Sequence, residues 1–272
     1  MIFVDAHVHI YDCFDLDVLF DSAVANFQTA AKHCGVTNKP FSSMLLLTER
    51  ASDNWFRHVF AKIKTGKDVN NPDKRWVITL TGDELSLRAC HNGCPGEEIY
   101  LIAGRQIVTA EKIEALALFC NTGINDGQSL NETVNTIRQC NGIAVIPWGV
   151  GKWIGKRGEI LQDFLTGYGG KGIFLGDNGG RPWCWPTPTL FHLARKKGIS
   201  VLPGTDPLPL PHEATRVGSF GFFLDHHPLN INSPATSVRE ILISGQETLY
   251  PFGRLQNIKS FFTNQLQLRF NF

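Results

Sequence analysis

The chain contains no apolar run of the roughly 18 residues that a spanning helix requires, so nothing in its 272 residues reads as a transmembrane segment and no membrane partner is expected. It also has little surplus charge of either sign. The 26 basic residues stand against 25 acidic ones, a formal net charge of +1. Polyanion-binding surfaces normally show as a clustered basic excess, and its absence argues against a nucleic-acid partner. The opening Met1-Ile2-Phe3-Val4-Asp5 lacks a basic start and a small-residue cleavage site, and reads as the first strand of the mature fold, not as a signal peptide. Repeats and low-complexity tracts are missing. Seven cysteines fall at irregular spacings. They point to free thiols, a reducing compartment and a cytoplasmic location. One local cluster, Cys90-His91-Asn92-Gly93-Cys94, suggests zinc, but a structural site needs four ligands, usually as two such pairs, and no second pair follows. The stretch reads as a tight turn flanked by two small, partly buried thiols.

What the chain does have is alternation. Strand-like apolar runs at 2–9, 43–47, 100–103, 142–147, 172–175, 199–203 and 219–224 are separated by amphipathic helical stretches. At 17–33, Leu19, Phe20, Ala23, Val24, Phe27, Ala30 and Ala31 share one face at spacings of three and four. A second helix is expected at 129–140, where Ser129 is the N-cap. A third, at 188–197, follows Thr187, carries Pro188 at its first position and ends at Gly198. The rhythm predicts an α/β fold, roughly a (β/α)7-8 barrel, TIM-like but distorted, of mainly parallel strands. Residues 52–98 depart from it and read as an inserted antiparallel β meander, with Gly82-Asp83 and Asn92-Gly93 as turns and a mobile loop at 66–75. The tail, 255–272, is helical in pattern at first and then alternates like a strand.

In parallel barrels chemistry gathers where strands end. Here the strand ends carry His7 and His9, Glu49 and Arg50, Arg105 and Gln106, Trp148 with Lys152 beyond it, Asn178 with Arg181 beyond it, and Asp206. Loops begin at strand ends, so polarity there is ordinary. The first strand is less ordinary, because Asp5, His7 and His9 alternate with Val4, Ala6, Val8 and Ile10 and so share one face. Two imidazoles at i and i+2 can hold one divalent ion from a rigid strand, and a carboxylate from across the fold completes three protein ligands. Such an ion brings the pKa of water toward neutrality for attack on an ester, amide or phosphoester.

At these residues the sequence resembles the PHP (polymerase and histidinol phosphatase) family of metal-dependent phosphoesterases, within the wider group of amidohydrolase-like barrels. "DAHVHIY" is similar to that family's D-x-H-x-H opening, "MLLLTER" to its strand ending in Thr-Asp-His, "TIRQCNGIAVIPWG" to its strand ending in Ala-His-Pro, and "ARKKGISVLPGTDPL" to its closing Gly-Ser-Asp-x-His. The resemblance implies one PHP-like barrel domain over 1–272, with the 52–98 excursion inside it. It also implies His7, His9 and Asp206 as metal ligands, with Glu49 standing in for an aspartate. Arg50 and Glu114 replace histidines, Gln106 replaces a bridging glutamate, and Trp148 and Leu208 each replace a further histidine. What survives suits one metal ion at most: zinc, manganese or iron.

The expected activity is therefore hydrolysis of a phosphoester or another small anionic substrate, such as one containing phosphate. Asp206 or Glu49 would accept the proton, and Arg105 and Arg181 would steady developing charge. Arg50, Lys152, Arg181, Trp148, Gln106 and Asn178 would line the substrate site, since guanidinium groups recognise phosphate and carboxylate bidentately. The alternative from another class is a degenerate barrel that binds a small anion or a protein partner without hydrolysis, which Gln106, Trp148 and Leu208 favour. An oligomer is compatible with either.

Overall fold

The computed structural model describes residues 1–36, 39–67, 69–70, 73–168 and 172–270. Residues 68, 71 and 72 of the loop expected at 66–75, and residues 271–272 of the tail, lie outside the described residues. The chain runs β1 (Ile2–Val8), α1 (Leu16–His33), β2 (Ser42–Leu47), α2 (Trp55–Lys64), β3 (Trp76–Leu80), β4 (Ser86–His91), β5 (Glu98–Ile102), β6 (Gly104–Val108), β7 (Glu114–Leu118) and α3 (Leu130–Gln139). It continues with β8 (Ile143–Pro147), α4 (Lys156–Gly167), β9 (Ile173–Asn178), α5 (Thr189–Lys196), β10 (Val201–Gly204), β11 (Phe220–Leu224), α6 (Pro234–Ser244), β12 (Tyr250–Gly253) and α7 (Ile258–Phe270).

The strands do not form the expected barrel. They make a seven-stranded sheet, ordered β12-β11-β1-β2-β5-β4-β3, and a five-stranded sheet, ordered β10-β9-β8-β7-β6, and neither closes. Most neighbouring pairs are antiparallel; β1–β2, β2–β5, β8–β9 and β9–β10 are the parallel ones. The reason lies in the connections. Parallel neighbours need a crossover of a dozen or more residues, whereas β6 reaches β7 through five residues and must turn back antiparallel. Arg105 and Gln106 are accordingly not a strand end. The chain leaves the first sheet at Ala103 and enters β6, where Arg105 pairs with Ala117 and Gln106 with Leu116. Gly104 permits the close crossing, since a Cβ there would lie 2.2 Å from the Leu47 carbonyl oxygen. The 52–98 segment holds a helix, α2, that the turn signals did not announce. Its β3 and β4 pair antiparallel and extend the first sheet through β5. Where the tail was expected to turn strand-like, its described residues are helical from Ile258 through Phe270.

The core lies in three layers. Ile2, Val4, Ala6, Met44, Leu46, Tyr100 and Ile102 of the first sheet meet Leu116, Leu118, Ile143, Val145, Phe174 and Leu202 of the second. The alternate residues of the first sheet, such as Phe3, Leu45 and Leu101, pack on Phe20 and Phe27 of α1 and Phe56 of α2. Those of the second sheet, such as Ala117, Ile146 and Leu175, pack on α3, α4 and α5 through Ile137, Leu161 and Phe191. Each fully buried large side chain is worth about 1.5–3 kcal/mol, so both faces of both sheets contribute. Local signals set the helix starts: Asp15 accepts from the Asp17 and Val18 N–H groups ahead of α1, and Ser129 with Glu132 forms a reciprocal capping box on α3. Among the described residues no helix is long and apolar enough to cross a membrane, and all seven cysteines are unpaired.

Candidate metal centre

Three elements converge on the histidines of the first strand. His7 belongs to β1 and His9 follows its end, Asn178 closes β9, and Asp206 lies two residues past β10. The contact between β1 and β10 is close. A Cβ on Gly204 would sit 2.4 Å from the His7 backbone nitrogen, and beyond it the Asp206 N–H donates to the His7 carbonyl at 2.8 Å. Asp206 has φ +46, a left-handed backbone that aspartate and asparagine tolerate better than most residues.

Asp5 holds this turn in place. Its buried carboxylate accepts from the Thr205 N–H at 2.8 Å, the Thr205 hydroxyl at 2.5 Å and the Gly218 N–H at 2.9 Å, with a longer bond of 3.3 Å from the His7 N–H. Burial pushes the Asp5 carboxyl up to about 6, against the pull of those donors. Asp5 is a positioning residue for Asp206, signalled in the sequence by the face it shares with His7 and His9 and by its place in the D-x-H-x-H opening.

The side-chain geometry suits a metal ion. His7 Nε2 and His9 Nε2 lie 3.1 Å apart, and each lies 3.4 Å from Asp206 Oδ1. Around a tetrahedral ion with bonds of about 2.0–2.1 Å, ligand atoms stand about 3.3–3.4 Å from one another, and around an octahedral ion about 2.8–3.0 Å. Both ring Nε2 atoms and the Asp206 oxygen thus face one common point, as ligand atoms around an ion do. Both rings are buried, at 5% and 3% side-chain exposure, while Asp206 keeps 23%, so the centre opens to solvent on the Asp206 side. Burial lowers His7 to about 4, outweighing the raising effect of Asp206, so its ring is neutral at pH 7, the form that ligates. Burial tends to raise the Asp206 carboxyl, but the His7 and His9 rings, followed by Lys152, hold it well below the usual carboxylate range.

Other groups complete the surroundings. Asn178 donates from Nδ2 to Asp206 Oδ2, and its own Oδ1 accepts from the Gly180 N–H at 2.6 Å, which fixes the amide's orientation. Gln106 acts on His7 in the raising direction, as the weakest of the influences on that ring. Tyr11 stacks on His9 with centroids 5.4 Å apart; burial first, then Asp206, push its hydroxyl upward, so it stays protonated. Tyr11 escaped the sequence reading, although it continues the i, i+2 series from His9. Thr48 Oγ1 lies 3.5 Å from His9 Nε2, and the buried His9 Nδ1 has no hydrogen-bond partner among the described residues.

The remaining candidates sit elsewhere or are engaged. Glu49 accepts from the Phe56 N–H at 2.6 Å, at the start of α2, and pairs with Arg105 at 3.6 Å. It is outside the set of ligand atoms that converge with His7, His9 and Asp206. Arg105 also donates to the Asp53 carbonyl and to Asn54 Oδ1. Arg181 is bound bidentately by Asp177 at 2.8 and 3.0 Å. Arg50 pairs with Asp53 at 2.8 Å and lies 5.0 Å over the Tyr11 ring. Lys152 pairs with Glu114, and it is the cation whose charge acts on both His7 and Asp206. Trp148 is buried, edge-on to Trp185 at 6.0 Å.

No family model matches the sequence, and no curated protein matches it. Among solved structures the chain is similar to PsfC from Pseudomonas syringae PB-5123, with a TM-score of 0.53 and 12% identity over 99% of this chain and 98% of that one. It is more loosely similar to the lesion-specific endonuclease PfuEndoQ from Pyrococcus furiosus, with a TM-score of 0.49 and 11% identity over 91% of this chain and 57% of that one. A structure of Endonuclease Q with a 27-mer duplex substrate carrying an abasic lesion at the active site gives a TM-score of 0.46, 10% identity and the same coverage. The likeness to PsfC is one of fold.

Proposed function

We propose that the chain is a metal-dependent hydrolase of the PHP type, acting on a phosphoester or a similar small anionic substrate at a single divalent ion held by His7, His9 and Asp206. The observation that carries this reading is the mutual spacing of three ligand atoms at 3.1, 3.4 and 3.4 Å. Gln106, Trp148 and Leu208, standing where the family has further ligands, limit the centre to one ion. When bound, such an ion supplies Lewis-acid polarisation and lowers the pKa of water. The chain's own residues do the rest. Asn178 and the Asp5-anchored turn aim the Asp206 carboxylate, whose exposed side faces an incoming nucleophile. Lys152 supplies the positive charge that a substrate anion meets: although paired with Glu114, its side chain is 37% exposed, whereas those of Arg105 and Arg181 are buried at 9% and 6%. The protonated Tyr11 hydroxyl offers a donor beside the same carboxylate.

Elemental analysis of the purified chain tests the reading. One equivalent of zinc, manganese or iron at this centre, lost in His7→Ala, together with turnover on a panel of phosphatase, phosphodiesterase and amidase substrates, is the expected result. Protein whose metal content does not depend on His7, yet which binds inorganic phosphate, would move the assignment to the non-hydrolytic alternative. Two further outcomes follow from the surroundings. Asn178→Leu frees Asp206 Oδ2 and should weaken metal binding by about 10–100-fold, the usual range for a ligand's outer partner, as read by competition with a chromogenic chelator. Lys152→Met should raise KM for anionic substrates about tenfold with metal content unchanged, as measured by steady-state kinetics on whichever panel substrate turns over. An unchanged KM would remove Lys152 from the substrate site.

A further inference from the structure

The turn joining β4 to β5 holds a second convergence of ligand-type side chains. A ring nitrogen of His91, the Cys94 sulfur and a Glu97 carboxylate oxygen all lie within 4.8 Å of one another. Backbone bonds close the turn around them: the His91 N–H donates to the Glu97 carbonyl at 3.0 Å, the Glu97 N–H to the Cys94 carbonyl at 3.1 Å, and the Asn92 N–H to the Arg75 carbonyl at 2.8 Å. The His91 ring is set from two sides, by the Trp76 ring edge-on at 5.2 Å and by the Gly93 N–H, which donates to Nδ1 at 3.0 Å. That second bond assigns the ring proton to Nε2 and engages the Nδ1 lone pair with the Gly93 N–H, so a metal ion at Nδ1 must displace that donor.

We propose that His91, Cys94 and Glu97 form a zinc-binding site separate from the His7/His9/Asp206 centre. The donor set selects the ion. Thiolate, imidazole and carboxylate together suit zinc, whereas magnesium and calcium take oxygen ligands. Binding releases the Cys94 thiol proton and replaces the Gly93 bond to Nδ1. Three protein ligands leave the fourth position to water or to an outside ligand, and Cys94 is exposed, so that position faces solvent. The sequence cluster was discounted for want of a fourth Cys or His. Three ligands suffice for an open site, and the third is Glu97, while Cys90, one residue before His91 on β4, points to the other face. The two centres lie at opposite ends of the parallel strands, since Ile99, next to the turn, is in register with Ser43 and through it with Phe3, four residues before His7.

Sulfur makes the test specific. Titrating the full-length chain with cobalt(II) should produce a sulfur-to-cobalt charge-transfer band in the near ultraviolet, bleached by added zinc. The centre at His7 has no sulfur and cannot give it. Cys94→Ser should abolish the band, and His91→Ala and Glu97→Gln should each weaken cobalt binding at this site by about tenfold or more. Cys90→Ser and His7→Ala should leave the band in place, so the result does not depend on the hydrolase reading. Absence of the band in the wild-type chain, or a band that survives Cys94→Ser, overturns the proposal.

Discussion

Asp206→Asn is expected to strip the main centre of its ion while leaving the fold intact. The substitution is chosen to change charge alone. Asparagine tolerates the φ of +46 that position 206 adopts, and its amide oxygen can still accept from Asn178, so neither the turn nor the neighbouring hydrogen bond need change. What disappears is the one anionic ligand, and with it the attraction that offsets stripping water from a divalent ion. Metal affinity should fall about 10³-fold, beyond the 10–100-fold typical of an outer partner. If Lewis-acid assistance is worth roughly 4 kcal/mol, kcat/KM should fall by about the same 10³-fold. Isothermal titration with zinc or manganese and kinetics on an active panel substrate give both numbers, with circular dichroism confirming the fold. Wild-type affinity in the variant would mean that Asp206 is not a ligand. Asp206→Ala would be a poorer test, because alanine resists the left-handed backbone.

Gly204→Ala should do the reverse, attacking the scaffold without touching a ligand. The added methyl would lie 2.4 Å from the His7 nitrogen, 2.6 Å from the His7 Cβ and 2.9 Å from the Ala6 carbonyl carbon. These are backbone atoms and the root of a side chain, so no rotamer change relieves the clash and β10 must move off β1. The bonds that aim Asp206, from its N–H to His7 and from Thr205 to Asp5, go with it. Overpacking of this kind costs about 3 kcal/mol or more, which for a chain of this size lowers the melting temperature by about 6–12 °C. The ligand set should also lose its metal. A melting temperature within about 2 °C of wild type would show that β10 does not press on β1 at Gly204.

The two substitutions separate what could and could not be read from the chain. Asp206 stood out by type and by its place after an apolar run. Gly204 carried no signal, because its requirement is space beside a strand nearly 200 residues earlier. The same divide runs through the fold. The apolar runs read from the sequence coincide with β1, β2, β5, β8, β9, β10 and β11, and the buried face of α1 is the set that its spacing marks out. Composition hid the strand β7, which showed only through the resemblance at Glu114, because Glu-Ala-Leu-Ala-Leu is made of good helix formers and is held extended by its neighbours. Strand direction was hidden as well. A barrel was the wrong closure because alternating strands and helices do not say which neighbours turn back.

The charged candidates divide likewise. Arg181 and Glu49 sit just past strand ends, as polar residues do, and Arg105 lies within β6, but each found a partner that occupies it. Partnering is a property of distance in space, and residue type does not reveal it.

Sequence by itself determined the local facts: where apolar periodicity makes strands and helices, where Ser129 starts a helix, and that the two imidazoles of the opening strand share one side. Those follow from backbone geometry within a few residues. Tertiary structure alone decided that two open sheets replace a ring, and that Asp206 meets His7 and His9 while Glu49 does not. Such outcomes depend on which distant backbones can approach within bonding distance, and short-range preference carries no record of that.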